Sequence, residues 1–86
     1  MKGNVFDKIR KTSIKYQGYA LDCYDIANEA RKHIDWSDIV SCEYYHGEGI
    51  CIMIDENVCN AATFFELVEE SKNGMVDKET FIRNCI

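Results

Sequence analysis

The stretch Ile39-Val40-Ser41-Cys42-Glu43-Tyr44-Tyr45-His46-Gly47-Glu48-Gly49-Ile50-Cys51-Ile52-Met53-Ile54 decides the fold. Its even positions before the glycines (Val40, Cys42, Tyr44) are apolar, and so are the even positions after them (Ile50, Ile52, Ile54). Successive side chains of a strand point to opposite faces, so each set occupies one face of its own strand. Residues opposite each other in an antiparallel pair share a face, and the two even sets coincide only if the loop holds an odd number of residues. A three-residue loop, Gly47-Glu48-Gly49, meets that condition, with Gly49 in the left-handed conformation forming a G1 bulge. The expected pairs are then His46 with Ile50, Tyr45 with Cys51, Tyr44 with Ile52 and Cys42 with Ile54. A two-residue loop would mix the isoleucines with Glu43 and Ser41 and lose the apolar face.

Outward from the hairpin the period changes to helical. Toward the N-terminus, Ala20, Cys23, Tyr24, Ala27, Ala30 and Ile34 form an apolar stripe over residues 19–34, with Arg31, Lys32 and His33 in the last turn, where basic charge suits the macrodipole. Earlier, Asn4 caps a first helix with Val5, Phe6, Ile9, Ser13 and Tyr16 at helical spacing, ended by Gly18. Thr12, Ile14 and Tyr16 also alternate, so residues 11–16 read equally as a strand. Toward the C-terminus, Asn57 or Asn60 caps a helix running to about Lys72, with Ala61, Phe64, Leu67 and Val68 inward, Phe65 beside them, and Asn73-Gly74 as its stop. Asp77 caps a short last helix from which Phe81, Ile82 and Cys85 pack back. The expected fold class is α+β: helices packed on one face of a small antiparallel sheet built around a β-hairpin (residues 39–54), in the order α-α-β-β-α-α. Eighty-six residues form one domain, 1–86, and are too few for two.

Charge is unevenly spread. The net charge is −5, yet residues 1–16 carry five basic side chains (Lys2, Lys8, Arg10, Lys11, Lys15) against the single acid Asp7. Between Lys32 and Lys72 there is no Lys or Arg, and that interval holds nine acids: Asp35, Asp38, Glu43, Glu48, Asp55, Glu56, Glu66, Glu69 and Glu70. Such asymmetry sets up a field of one sign over much of a small surface. It disfavours direct nucleic-acid binding through the hairpin, because phosphates are repelled. No apolar run is long enough to span a bilayer, so no membrane partner is expected. The charges within Met1–Asp7 interrupt the apolar stretch a signal peptide needs, and a cytoplasmic location is the expectation.

The five cysteines (Cys23, Cys42, Cys51, Cys59, Cys85) are odd in number and lack CxxC spacing, which reads as free thiols rather than a disulfide scaffold. Cys42 and His46 share a face but lie four residues apart on an extended strand, roughly 13 Å, too far to hold one ion, and Cys51 points the other way. Neither His33 nor His46 is placed beside a particular cysteine, as nucleophilic catalysis would require. Residues 69–81 have the outline of an EF-hand loop with Gly74 at the turn, but Thr80 stands where the bidentate Glu is required, and a helix, a turn and a second capped helix generate the same letters. No metal, cofactor or catalytic set is therefore assigned.

What remains is surface. The odd residues of the hairpin place Ser41, Glu43, Tyr45, Cys51, Met53 and Asp55 on the outer face, with Glu48 at the tip. Aromatic and thioether side chains ringed by charge suit protein binding, unless a helix or third strand covers them. The expected function is that of a small acidic, non-enzymatic regulator or inhibitor that binds a basic surface on a partner protein, such as a nucleic-acid-binding enzyme, through Trp36, Glu43, Tyr45, Glu48, Met53 and Asp55. An isolated hairpin is marginal in water, so a homodimeric assembly subunit formed by hairpin pairing is the second reading; a thiol-dependent enzyme is the third.

Overall fold

The structure, a computed structural model, describes residues 23–86. The first helix expected from Asn4 and the ambiguous residues 11–16 lie outside them. The described elements run α1 (Cys23–Arg31), β1 (Val40–Tyr45), β2 (Gly49–Ile54), β3 (Asn57–Asn60), α2 (Ala61–Glu70) and α3 (Lys78–Arg83). The three strands form one antiparallel sheet in the order β1-β2-β3. The class is thus α+β, but the expected order is corrected by a third strand between the hairpin and the next helix. None of the described helices is long and apolar enough to cross a membrane.

The apolar even positions of the two hairpin strands share one face as expected, and the register is corrected by one pair. Val40 faces Ile54, Cys42 faces Ile52 and Tyr44 faces Ile50, with Tyr45 opposite Gly49. The loop has three residues, but they are His46-Gly47-Glu48 rather than Gly47-Glu48-Gly49. The amide of Glu48 donates to the Tyr45 carbonyl at 2.9 Å, and Gly47, the third residue of that four-residue turn, has φ 88°. A positive φ there costs a glycine nothing, which explains why the turn closes one residue earlier than a bulge at Gly49 would allow. Gly49 also has a positive φ, 89°, but it is already paired.

β3 was concealed because Asn57 and Asn60 both read as helix caps. Only Asn60 is one: its Oδ1 accepts from the amides of Ala62 at 2.8 Å and Thr63 at 3.3 Å. Asn57 instead pairs with Ile54 across the two-residue turn Asp55-Glu56. Asp55 takes φ 58°, a left-handed conformation that Asp tolerates better than most side chains. Its neighbours hold it there: its amide donates to the Ile39 carbonyl at 2.9 Å, and its carboxylate accepts the Ser37 hydroxyl at 2.7 Å. With partners on both sides, β2 becomes the central strand, and Ile50, Cys51, Ile52 and Ile54 are all buried.

One apolar cluster joins Val40, Ile50, Ile52, Ile54 and Cys59 of the sheet to Ile26, Ala27 and Ala30 of α1, Ala61, Phe64, Phe65 and Val68 of α2, and Phe81 of α3. In α1 the stripe is centred on Ile26, Ala27 and Ala30; Tyr24, expected on it, is 71% exposed. At 3.6 residues per turn Tyr24 shares a line with Arg31, on the flank of that stripe. On β1 the cluster reaches Cys42 and stops short of Tyr44, which was expected in the core and is 43% exposed next to the turn. α2 ends at Ser71, whose amide and hydroxyl both donate to the Val68 carbonyl, so Asn73-Gly74 is not its stop. Those two residues shape the following loop: the Asn73 side chain accepts the Met75 amide and Gly74 has φ 77°. In α3, Phe81 is fully buried while Ile82, also expected inward, is 43% exposed.

Candidate functional site

The hairpin carries the candidate surface, and the register sets what shares it. On the outer face Ser41 stands opposite Met53 and Glu43 opposite Cys51; the expected pairing of Tyr45 with Cys51 is thereby corrected. Ser41 and Glu43 are exposed, Tyr45 and Met53 are half-buried, and Glu48 is exposed in the turn. Cys51, expected on the outer face, has no exposure. Burial is the main cause that pushes its thiol up to about 11, and the nearby Glu48 carboxylate adds to it. The accessible part of the face is therefore its rim: Glu43 and Glu48 beside the half-buried Tyr45 and Met53.

Trp36 and Asp55 belong to the opposite end of the sheet. The Trp36 ring packs against the core, 5.8 Å from Phe81, and its Nε1 donates to the Val76 carbonyl at 2.9 Å. The Val76 amide in turn donates to the His33 carbonyl at 2.8 Å. His33 Nδ1 lies 2.9 Å from the Gly74 carbonyl, which can only accept, so this nitrogen carries hydrogen. The link from α1 to β1 is thus stitched to the link from α2 to α3. Trp36, expected on the partner-binding surface, instead faces inward, and its bond to the remote Val76 carbonyl leaves no local signal.

Asn60, expected only as a cap, also connects the hairpin to α2. Its Oδ1 caps the helix while its Nδ2 donates to the Glu48 carbonyl at 2.7 Å. The turn bearing the exposed Glu48 side chain is thereby fixed to the start of α2.

Among the described residues, exposed acidic side chains outnumber exposed basic ones. Ion pairs among the described residues join Lys32 and His33 to Glu29, and Arg83 to Glu79. None of these engages Glu43, Glu48, Glu56 or Glu66, all of them exposed. The guanidinium of Arg31, the basic group next to β1, is turned to the Val40 carbonyl and the Asn28 side chain.

The five cysteines are free thiols. Burial raises Cys59 to about 12, with Cys85 and Cys51 adding to the effect, and burial also raises Cys85. Cys42 is raised further, by burial first and then by its hydrogen bond to Cys23. Among the described residues no three His, Cys, Asp or Glu side chains converge as a metal set. Compared with protein-family models, curated proteins and solved structures, the chain matches none.

Proposed function

We propose that this chain is a small acidic, non-enzymatic regulator that binds a basic surface on a partner protein through the rim of its hairpin. One observation carries the reading: Glu43 and Glu48 are exposed with no ion-pair partner among the described residues, beside half-buried Tyr45 and Met53. Uncompensated charge around partly apolar side chains suits an interface in which electrostatics steers encounter and aromatic contact supplies affinity. The interval of nine acids without Lys or Arg extends the same sign over α2, where Glu66 is also exposed. Thiols held protonated by burial at Cys42, Cys51, Cys59 and Cys85 support the non-enzymatic side of the reading, since the thiolate is the nucleophile.

Within that surface Glu43, Glu48, Tyr45 and Met53 act together. Trp36 and Asp55 contribute through the scaffold, given their hydrogen bonds to Val76 and Ser37. The test is the salt dependence of complex formation. Affinity for the partner falls steeply as ionic strength rises through the range in which exposed charges become screened. An affinity indifferent to salt would remove the proposal.

A further inference from the structure

The two edges of the sheet, β1 and β3, differ on their outer sides. On β3 the Val58 carbonyl accepts the Ile86 amide at 2.8 Å, so C-terminal backbone lies along that edge. On β1 the pairing phase fixes which backbone groups point outward. The Asp55 amide donates to the Ile39 carbonyl, continuing the register in which Val40 faces Ile54. Hydrogen-bonded and non-bonded pairs alternate in an antiparallel ladder. Ile39, Ser41, Glu43 and Tyr45 therefore turn their backbone groups toward β2, and Val40, Cys42 and Tyr44 turn theirs away. In agreement, the Arg31 guanidinium of α1 donates to the Val40 carbonyl at 2.8 Å. Past that contact, no hydrogen bond among the described residues engages the outward amide and carbonyl of Cys42 or of Tyr44. Alongside this edge lies an open cavity of about 230 Å³, lined by Cys23, Tyr24, Ala27 and Arg31 of α1 and by Val40 to Cys42 of β1. A strand edge with open donors and acceptors beside a groove is the arrangement that takes up an extended peptide as an added strand.

We infer that the β1 edge and this groove bind, as an added antiparallel strand, an extended segment of a partner protein in which basic and apolar residues alternate. Parity and charge set that pattern. A residue paired with Cys42 shares its face and enters the groove on the side of Ala27, where an aliphatic side chain fits. A residue paired with Glu43 lies on the outer face, against an exposed carboxylate in none of the ion pairs among the described residues. A lysine or arginine there meets opposite charge, whereas an acid is repelled. That repulsion counts against a second copy of this chain paired through Glu43. Arg31, seated on Val40, confines the new bonds to Cys42 and Tyr44. The inference rests on the partner reading above for the sign of the partner's charge, and adds the backbone that would carry it.

The test is amide hydrogen exchange of the full chain, followed by NMR, with a short blocked peptide of alternating lysine and valine. The peptide slows exchange at Cys42 and Tyr44 by roughly tenfold or more, while Glu43, already bonded to β2, changes little. N-methylation of the valines removes the donors to the Cys42 and Tyr44 carbonyls and abolishes the protection, and a peptide with serine in place of lysine gives none. Salt-sensitive shifts at Glu43 and Glu48 without protection of Cys42 and Tyr44 overturn the inference and leave the partner reading standing. Protection matched by the serine peptide, or no response to the lysine peptide at low salt, overturns it as well. So does protection already present in the free chain, which would give the edge to residues 1–22, or protection that grows with the chain's own concentration, which would give it to a second copy.

Discussion

The two ends of the sheet use aromatic side chains in opposite ways. At the end where β1 begins, Trp36 lies on the core, its indole nitrogen is bound to Val76, and Phe81 contacts its ring. At the turn end, Tyr44 and Tyr45 flank a three-residue loop, and Tyr44 is largely outside the apolar cluster. Bonds distant in sequence make the difference. Val76 reaches both His33 and Trp36, whereas the described bonds of the turn itself are the short Tyr45–Glu48 link and the brace from Asn60. One end is stitched to the core, and the other is braced but exposed.

Breaking the scaffold end has the largest effect. Phe81→Ala removes a fully buried ring that contacts both Trp36 and Phe64 and should destabilise the chain by about 3–5 kcal/mol, measured by denaturant unfolding. Trp36→Phe keeps most of the packing but leaves the Val76 carbonyl without its indole donor, a loss of about 1–3 kcal/mol. At the turn end, Asn60→Ala removes both the helix cap and the brace and should cost about 1–2 kcal/mol. Asn60→Asp retains a capping oxygen and loses only the donation to Glu48, so its loss is the smaller of the two. Equal losses for Asp and Ala would show that the Glu48 brace dominates.

A pH series sharpens the contrast on the outer face. Cys51 is raised from 9.0 to about 11 in the folded chain, so its contribution to stability is intact below pH 9 and declines as pH rises from there toward 11. Over that range the folded state holds the proton and the unfolded state releases it. Cys51→Ala should show a shallower alkaline loss than the wild-type chain. The smallest expected effect on stability, within about 0.5 kcal/mol, is that of Glu43→Lys and Glu48→Lys together, since both side chains are exposed and outside the ion pairs.

Much of this contrast was legible in the residues, and the rest was not for physical reasons. Alternation of Val40, Cys42, Ile50, Ile52 and Ile54 required a three-residue loop and a shared face, both present. It could not choose between two loops of equal length: each keeps the parity, and only the turn geometry of Gly47 separates them. Asn60 was legible as a cap because its partners are two and three residues away. Its second bond, to Glu48, joins segments that sequence does not bring together. β3 is four residues long and begins and ends in Asn, so neither apolar alternation nor length revealed it. Of the candidate surface, the exposure of Glu43 and Glu48 followed from strand parity and loop position. The burial of Cys51 and the inward role of Trp36 depend on tertiary contacts with no local pattern.

In the proposed function, the acids at the exposed turn end recognise a basic protein surface. The wild-type chain and its Glu43→Lys/Glu48→Lys variant, each immobilised at equal density, would be exposed to the same native lysate at low ionic strength and eluted with a salt gradient. A protein partner retained by the wild-type chain, released early in the gradient and absent from the variant is the predicted result. Retention of the same proteins by both surfaces, or release that ignores salt, would contradict it.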